Sequence, residues 1–352
     1  MISFSKLGNY GRLGNQLFQY AFLRITARRL GTQFFCPKWD GDDIFNLNDE
    51  GERASEPSGI IHHFDPHPKA GFTSEPLSIG DHTEIQGFFQ SEKYYSDKRL
   101  VREWYTFNNE IVTEVEKLYS DILQRDCVSF SLRLDTDYGS TREYFPLYPP
   151  SFYKKSLSVI NPQGSILVFS DRPDLSREFL RDFQGQDFIF VDNLNGPQQL
   201  YLMTRCRANA ITNSTFSWWG AWLNAHPGKI VVAPTAWCRP GVPNPIEDIL
   251  CDDWVTVSGT HPILDHFQVW RLRHPVVTVN RLLSRVPKEI LILDQENHNR
   301  LSLIDISEKS QTINMRGLYL FYRSCQTAKK RDFQFFALSL NLDFSFFYSE
   351  KP

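Results

Sequence analysis

Residues 1 to 7, "MISFSKL", alternate apolar and polar positions, the period-two pattern of a half-buried strand. The next stretch, "GNYGRLG" at 8 to 14, places three glycines within seven residues. Apolar residues then return at Leu17, Ala21 and Ile25, with Phe18 and Phe22 beside them. Spacing of i, i+4, i+8 predicts a helix with a broad apolar face, and Gly31 is its natural stop. "TQFFCP" reads as a second strand. Residues 40 to 85 carry Pro, His and Gly with little periodicity and read as loop-rich.

From about residue 111 the pattern becomes regular. "NNEIVTEVEKLYSDIL" has helical spacing at Ile111, Val115, Leu118 and Ile122. Strand and helix then alternate: "CVSFSLRL", "SFYKKSLSVI", "SILVFSD", "PDLSREFLRDF", "DFIFVD", "PQQLYLMTRC", "RANAIT", "FSWWGAWLNAH" and "KIVVAP". Short apolar strands separated by helices imply a parallel sheet covered on both faces. The expected fold is α/β: two Rossmann-like domains, 1–110 and 111–258, facing across a cleft. The extension 259–352 has no assigned role; "VPKEILILD" reads as a strand, and helices packing back on the first domain are the other expectation for it.

Composition narrows the function. With 41% hydrophobic residues, 352 residues can bury a large core. A net charge of -3 argues against a nucleic-acid partner, so any anion must be met by a local cluster of positive groups. Six scattered cysteines, with no CxxC pair and no histidines at zinc spacing, suit buried thiols in a reducing compartment. His62, His63 and His67 around Asp65 match no metal-ligand spacing. The opening residues lack a signal-peptide core and no run approaches a membrane span. The expectation is a cytoplasmic protein with no metal and no cofactor, with peripheral attachment to the inner face of the membrane left open.

Gly8, Gly11 and Gly14 at i, i+3, i+6 are not the dinucleotide pattern, and alone they are read as a tight turn packing a helix on a sheet. The wording "GRLGNQLFQYA", followed in order by "IQGFFQSEKYY" (85–95), "LVFSDRPD" (167–174) and "ITNSTFSWWGAWLN" (211–224), resembles the α-1,2-fucosyltransferases. The resemblance covers residues 1 to about 258. It implies a GT-B fold with an acceptor side in the first domain and a GDP-sugar side in the second. It further implies inverting transfer of L-fucose from GDP-fucose, without a metal ion, to a hydroxyl of a galactose-ended glycan, free or lipid-linked. A related transferase with another sugar nucleotide, and an inactive glycan- or nucleotide-binding homologue, are the alternatives.

Metal-free transfer requires arginine and backbone NH groups around the leaving diphosphate. The resemblance places an HxRRxD-type motif on "VSFSLRLDTDY", with departures: Ser131 replaces the histidine and Leu134 the second arginine. Arg133 is retained and is the candidate for the β-phosphate. Asp137 aligns with the family aspartate and is the candidate base, with Glu143 the alternative. Asp135 and Asp137 also form a D-x-D pair, which points to the rival reading of a divalent cation. Asn213, Ser214, Thr215 and Ser217 are expected either to cap a helix or to cradle the diphosphate. Ser170 and Asp171, at a strand end, are expected at ribose or guanine, although Arg172 stands where the family has a second acid. Arg12, Asn15 and Gln16 at the glycine turn are expected at phosphate or acceptor. Trp218, Trp219 and Trp222 share a helix flank and are expected in the core. Glu92 is expected to be an ion-pair partner.

Overall fold

The computed structural model describes residues 1–66, 70–134, 144–181, 183–239, 241–242 and 246–259, and strand segments beyond them. The elements run β1 (Ile2–Ser3), α1 (Leu13–Leu30), β2 (Phe34–Phe35), α2 (Gly41–Ile44), β3 (His62–Phe64), β4 (Thr83–Ile85), α3 (Lys98–Trp104) and α4 (Asn109–Leu123). They continue with β5 (Cys127–Leu132), α5 (Pro150–Ile160), β6 (Ser165–Ser170), α6 (Pro173–Leu180), β7 (Phe188–Phe190), α7 (Gly196–Thr204), β8 (Ala208–Ala210), α8 (Thr215–Leu223), β9 (Ile230–Pro234) and β10 (Val255–Val257). The strand–helix alternation after residue 111 and the end of α1 at a left-handed Gly31 follow the sequence pattern.

One compact unit comprises residues 1–173 and 185–260 and contains two parallel sheets. The first has the order β2-β1-β4-β3, with Ile2 beside both Phe34 and Thr83. The second has the order β10-β9-β8-β5-β6-β7. In the second sheet the chain leaves the neighbouring strands β5 and β8 in opposite directions, to β6 and to β9. Such a point opens a crevice at the strands' carboxyl ends. This is the α/β, two-lobed architecture expected from the pattern.

The lobes share one core. Phe18 of α1 lies 4.5 Å from the Trp218 ring and 4.8 Å from that of Trp219. Trp218, Trp219 and Trp222 are buried, as their helical spacing predicts. Each indole also finds an acceptor: Ile249 O, Gly14 O and Glu92 Oε2 respectively. The carboxyl end of α8 is satisfied by cations, with Lys229 Nζ donating to Ala221 O and Asn224 O (2.8 Å each) and Arg102 Nε to Trp222 O (3.3 Å).

Glu92 ties the lobes as an ion-pair partner, 2.7 Å from Lys98 and accepting from Trp222 Nε1 at 2.8 Å. Burial pushes its carboxyl up, but the bonds from Lys98 and Trp222 outweigh burial and hold it below the ordinary glutamate value. The stabilisation is therefore present above the unfolded-state pKa and is lost as pH falls through the lower folded value. Glu92→Gln should cost about 1 kcal/mol at neutral pH and less at an acid pH below the ordinary glutamate range. Urea midpoints at the two pH values check this; an unchanged difference would mean that the charge contributes nothing.

A second unit comprises residues 174–184 and 261–352. Its described strands beyond residue 259 are β11 (Val276–Thr278), β12 (Ile290–Asp294), β13 (Leu301–Ile304), β14 (Thr312–Asn314), β15 (Leu318–Ser324) and β16 (Gln334–Leu338). β11 pairs antiparallel with β14, and the others form an antiparallel sheet in the order β13-β12-β15-β16. "VPKEILILD" thus holds a strand. Every element described beyond residue 259 is a strand, not the helix expected for this extension; segments such as "LYLFYRS" are rich in aromatics that suit a pleated sheet.

The five described cysteines, Cys36, Cys127, Cys206, Cys238 and Cys251, are buried free thiols. No described helix is long and apolar enough to cross a membrane.

Candidate active site

Residues after β1 and β4 of the first lobe and around the β5/β8 switch point of the second line one cleft of about 1220 Å³. That exceeds the roughly 300–1,000 Å³ typical of a single small-molecule pocket. The first lobe contributes Arg12, Leu13, Gly14 and Asn15 after β1, and Phe88 and Gln90 after β4. The second contributes Ser131, Leu132 and Arg133 at the end of β5, and Thr212 to Ser217 between β8 and α8.

The three glycines of "GNYGRLG" have separate duties. Gly8 and Gly11 sit at φ +90° and +95°, the left-handed region that a Cβ disfavours. Gln16 Nε2 donates to Gly8 O (3.2 Å) and Gly11 O (3.1 Å), and Gln19 Nε2 to Tyr10 O (2.9 Å). Gln16, expected at a ligand, is thus a staple that holds the turn on α1. Gly14 serves contact instead: a Cβ there would lie 2.6 Å from Thr215 Oγ1 and 2.7 Å from Phe216 N. The amino ends of α1 and α8 therefore abut in the cleft.

Neither helix has a side-chain cap or an acidic residue in its first turn. First-turn NH groups lack intrahelical partners and carry the positive end of the helix dipole. Of the two expectations for the "NSTFSWW" polar residues, side-chain capping is not what they do. Ser217 Oγ donates to Ser214 O (3.1 Å) and Asn213 Nδ2 to Pro146 O (2.9 Å). Thr215 Oγ1 (3.1 Å) and Gln90 Nε2 (2.8 Å) both donate to Asn15 Oδ1, so Asn15 is a joint between the lobes as well as a lining residue.

Arg133 follows β5 and is only 6% exposed, yet it lines the cleft. Its Nη1 donates to Asn213 O at 2.7 Å, which fixes the guanidinium beside the start of α8. Ser170 and Asp171 line the cleft at the end of β6. Asp171 Oδ1 accepts from Leu134 N (2.9 Å), tying the end of β6 to the segment after Arg133, and Ser170 Oγ accepts from Arg172 N (3.0 Å). Arg12 is the exposed residue before α1 and lines the same space. Arg12, Arg133 and two acid-free helix starts are the positive groups of a lining that also carries Asp40, Asp43 and Asp171.

Asp137 and Glu143, the expected bases, and Asp135 of the D-x-D pair lie outside the described residues, as does His67. Sequence reasoning missed several lining groups: Asp40 and Asp43 near α2, Phe169 on β6, and Trp237 after β9. Phe88 was present in "IQGFFQ" as an aromatic pair; its ring stacks on Tyr10 with centroids 4.7 Å apart.

Residues 152–258 match the family model described as glycosyl transferase family 11. The chain is similar to an Escherichia coli alpha-1,2-colitosyltransferase, at 27% identity covering 64% of this chain and 90% of that protein. It is also similar to the Escherichia coli O-antigen biosynthesis glycosyltransferase WbnK, at 25% identity covering 70% and 98%. The solved fucosyltransferase NodZ from Bradyrhizobium superposes with a TM-score of 0.41 at 13% identity, covering 62% of this chain and 92% of that one.

Proposed function

We propose that the chain is a glycosyltransferase of the family 11 type that moves L-fucose from GDP-fucose to a hydroxyl of a galactose-ended glycan. The observation that carries this reading is the cradle at the centre of the cleft. Arg133 is held by Asn213 O next to two uncapped helix starts that meet at Gly14. That arrangement suits a diphosphate, whose charge grows on the β-phosphate as the bond to the sugar breaks. Fixed donors stabilise that charge with no reorganisation during the reaction.

The reaction is inverting: a base takes the proton from the acceptor hydroxyl, whose oxygen attacks the anomeric carbon from the face opposite the departing GDP. Asp137, with Glu143 as alternative, is assigned that proton. Ser170 and Asp171 hold the nucleoside end, and the acceptor enters past Phe88 and Gln90. The acceptor is a free or lipid-linked glycan met in the cytoplasm or at the inner face of the membrane.

A second donor has a specific observation in its favour. One relative is named for colitose, the 3-deoxy form of fucose, and Ser131, Leu134 and Arg172 all depart from the fucosyltransferase wording beside the proposed donor site. Thermal-shift measurements with GDP, UDP, GDP-fucose and GDP-colitose, with radiolabelled transfer in EDTA, separate the readings. GDP and GDP-fucose should stabilise the protein and transfer should survive chelation. Stabilisation by UDP alone would end the fucose reading, and a strict Mn²⁺ or Mg²⁺ requirement would favour the D-x-D pair.

A further inference from the structure

We propose that Asn213, together with Ser131, reads a hydroxyl group of the transferred sugar and so decides which deoxyhexose the enzyme accepts. This rests on the donor reading above, with Arg133 on the β-phosphate. Asn213 is 2% exposed and lines the cleft between β8 and α8. Its Nδ2 donates to Pro146 O at 2.9 Å and to Trp237 O at 3.4 Å, so the amide cannot turn over without setting its oxygen against two carbonyls. Its Oδ1 is buried and has no hydrogen-bond partner. Ser131 is 6% exposed, lines the same cleft and carries a buried Oγ in the same condition.

A buried acceptor left unmet is costly, and the cost falls away when a donor group arrives. An amide oxygen is an acceptor only, so it repels phosphate oxygens and requires an O–H or N–H. The main-chain oxygen of the same residue holds Arg133 Nη1 at 2.7 Å, which puts Asn213 at the shoulder of the guanidinium. With the guanidinium on the β-phosphate, the hydroxyl-bearing group bonded to that phosphate is the transferred sugar; ribose lies one phosphate further away. The Ser131 hydroxyl can donate or accept and stands two residues before Arg133, near the end of β5, lining the same cleft. A site built around a substrate hydroxyl rejects the analogue lacking it far more strongly than a hydrophobic pocket rejects a size change.

The test is steady-state kinetics with GDP-fucose and its 2-deoxy, 3-deoxy and 4-deoxy sugar analogues, on the full chain and on Asn213→Ala and Ser131→Ala. The native enzyme should disfavour one of the three analogues by about 100-fold or more in kcat/KM. Asn213→Ala should bring that ratio to within about fivefold by losing rate with GDP-fucose and not with that analogue. Ser131→Ala, which removes a single oxygen, should narrow the same ratio, and GDP should still stabilise both variants. A native enzyme that uses GDP-fucose but takes all three analogues at equal rates overturns the assignment and leaves the donor reading intact. Equal losses on all donors in both variants also overturn it. No transfer from GDP-fucose by the native enzyme would overturn the donor reading itself, and the assignment with it.

Discussion

Arg133→Ala should lower kcat/KM for donor turnover by about 10²- to 10³-fold, the loss expected when one fixed donor to a developing oxyanion is removed. The prediction follows from where the guanidinium is held. It is 6% exposed, lines the cleft and is fixed by a 2.7 Å bond to Asn213 O. A cation in a site of low dielectric acts on a diphosphate far more strongly than it would in water. Arg133→Lys should recover little, because a point charge on a flexible stem cannot keep one bond to Asn213 and present a fork to phosphate. Truncation also leaves Asn213 O without this partner, at a cost of about 1–3 kcal/mol, so circular dichroism and a melting curve must accompany the rates. Activity within threefold of the native enzyme in a folded variant would remove Arg133 from the mechanism.

Gly14→Ala should lose both stability and activity, against the direction of helix propensity. In an exposed helix interior the change would gain about 1 kcal/mol. Here the new Cβ would meet Thr215 Oγ1 at 2.6 Å and the backbone of Phe216 at 2.7 Å, and backbone cannot yield as a flexible side chain can. Overpacking of this kind costs about 1–3 kcal/mol. Part of it falls on the cleft, because the contact lies where the first turns of α1 and α8 meet and where Asn15 joins Gln90 and Thr215. A thermal midpoint at or above the native value, with unchanged kcat/KM, would show that the two helices are free to separate.

Much of the second lobe was legible because its strands are apolar and its helices amphipathic over several turns. "CVSFSL" and "SILVFS" became β5 and β6, buried along their length. The first lobe hid more. β3 and β4 are three residues each, too short for any period to emerge, and they lie in the region read as loop. At the site, Arg133, Asn213 and the start of α8 could be named from wording and type. Their partnerships could not, since Asn15 meets Gln90 75 residues away and Thr215 200 residues away. Gln16 and Gln19 illustrate the same limit: an amide that looks available for a ligand is occupied by the backbone it stabilises.

The contact at Gly14 bears on what it would take to part the lobes. Phe18 packs against two indoles and glycine faces threonine across the join, so opening the cleft at this point would expose buried aromatic surface to water.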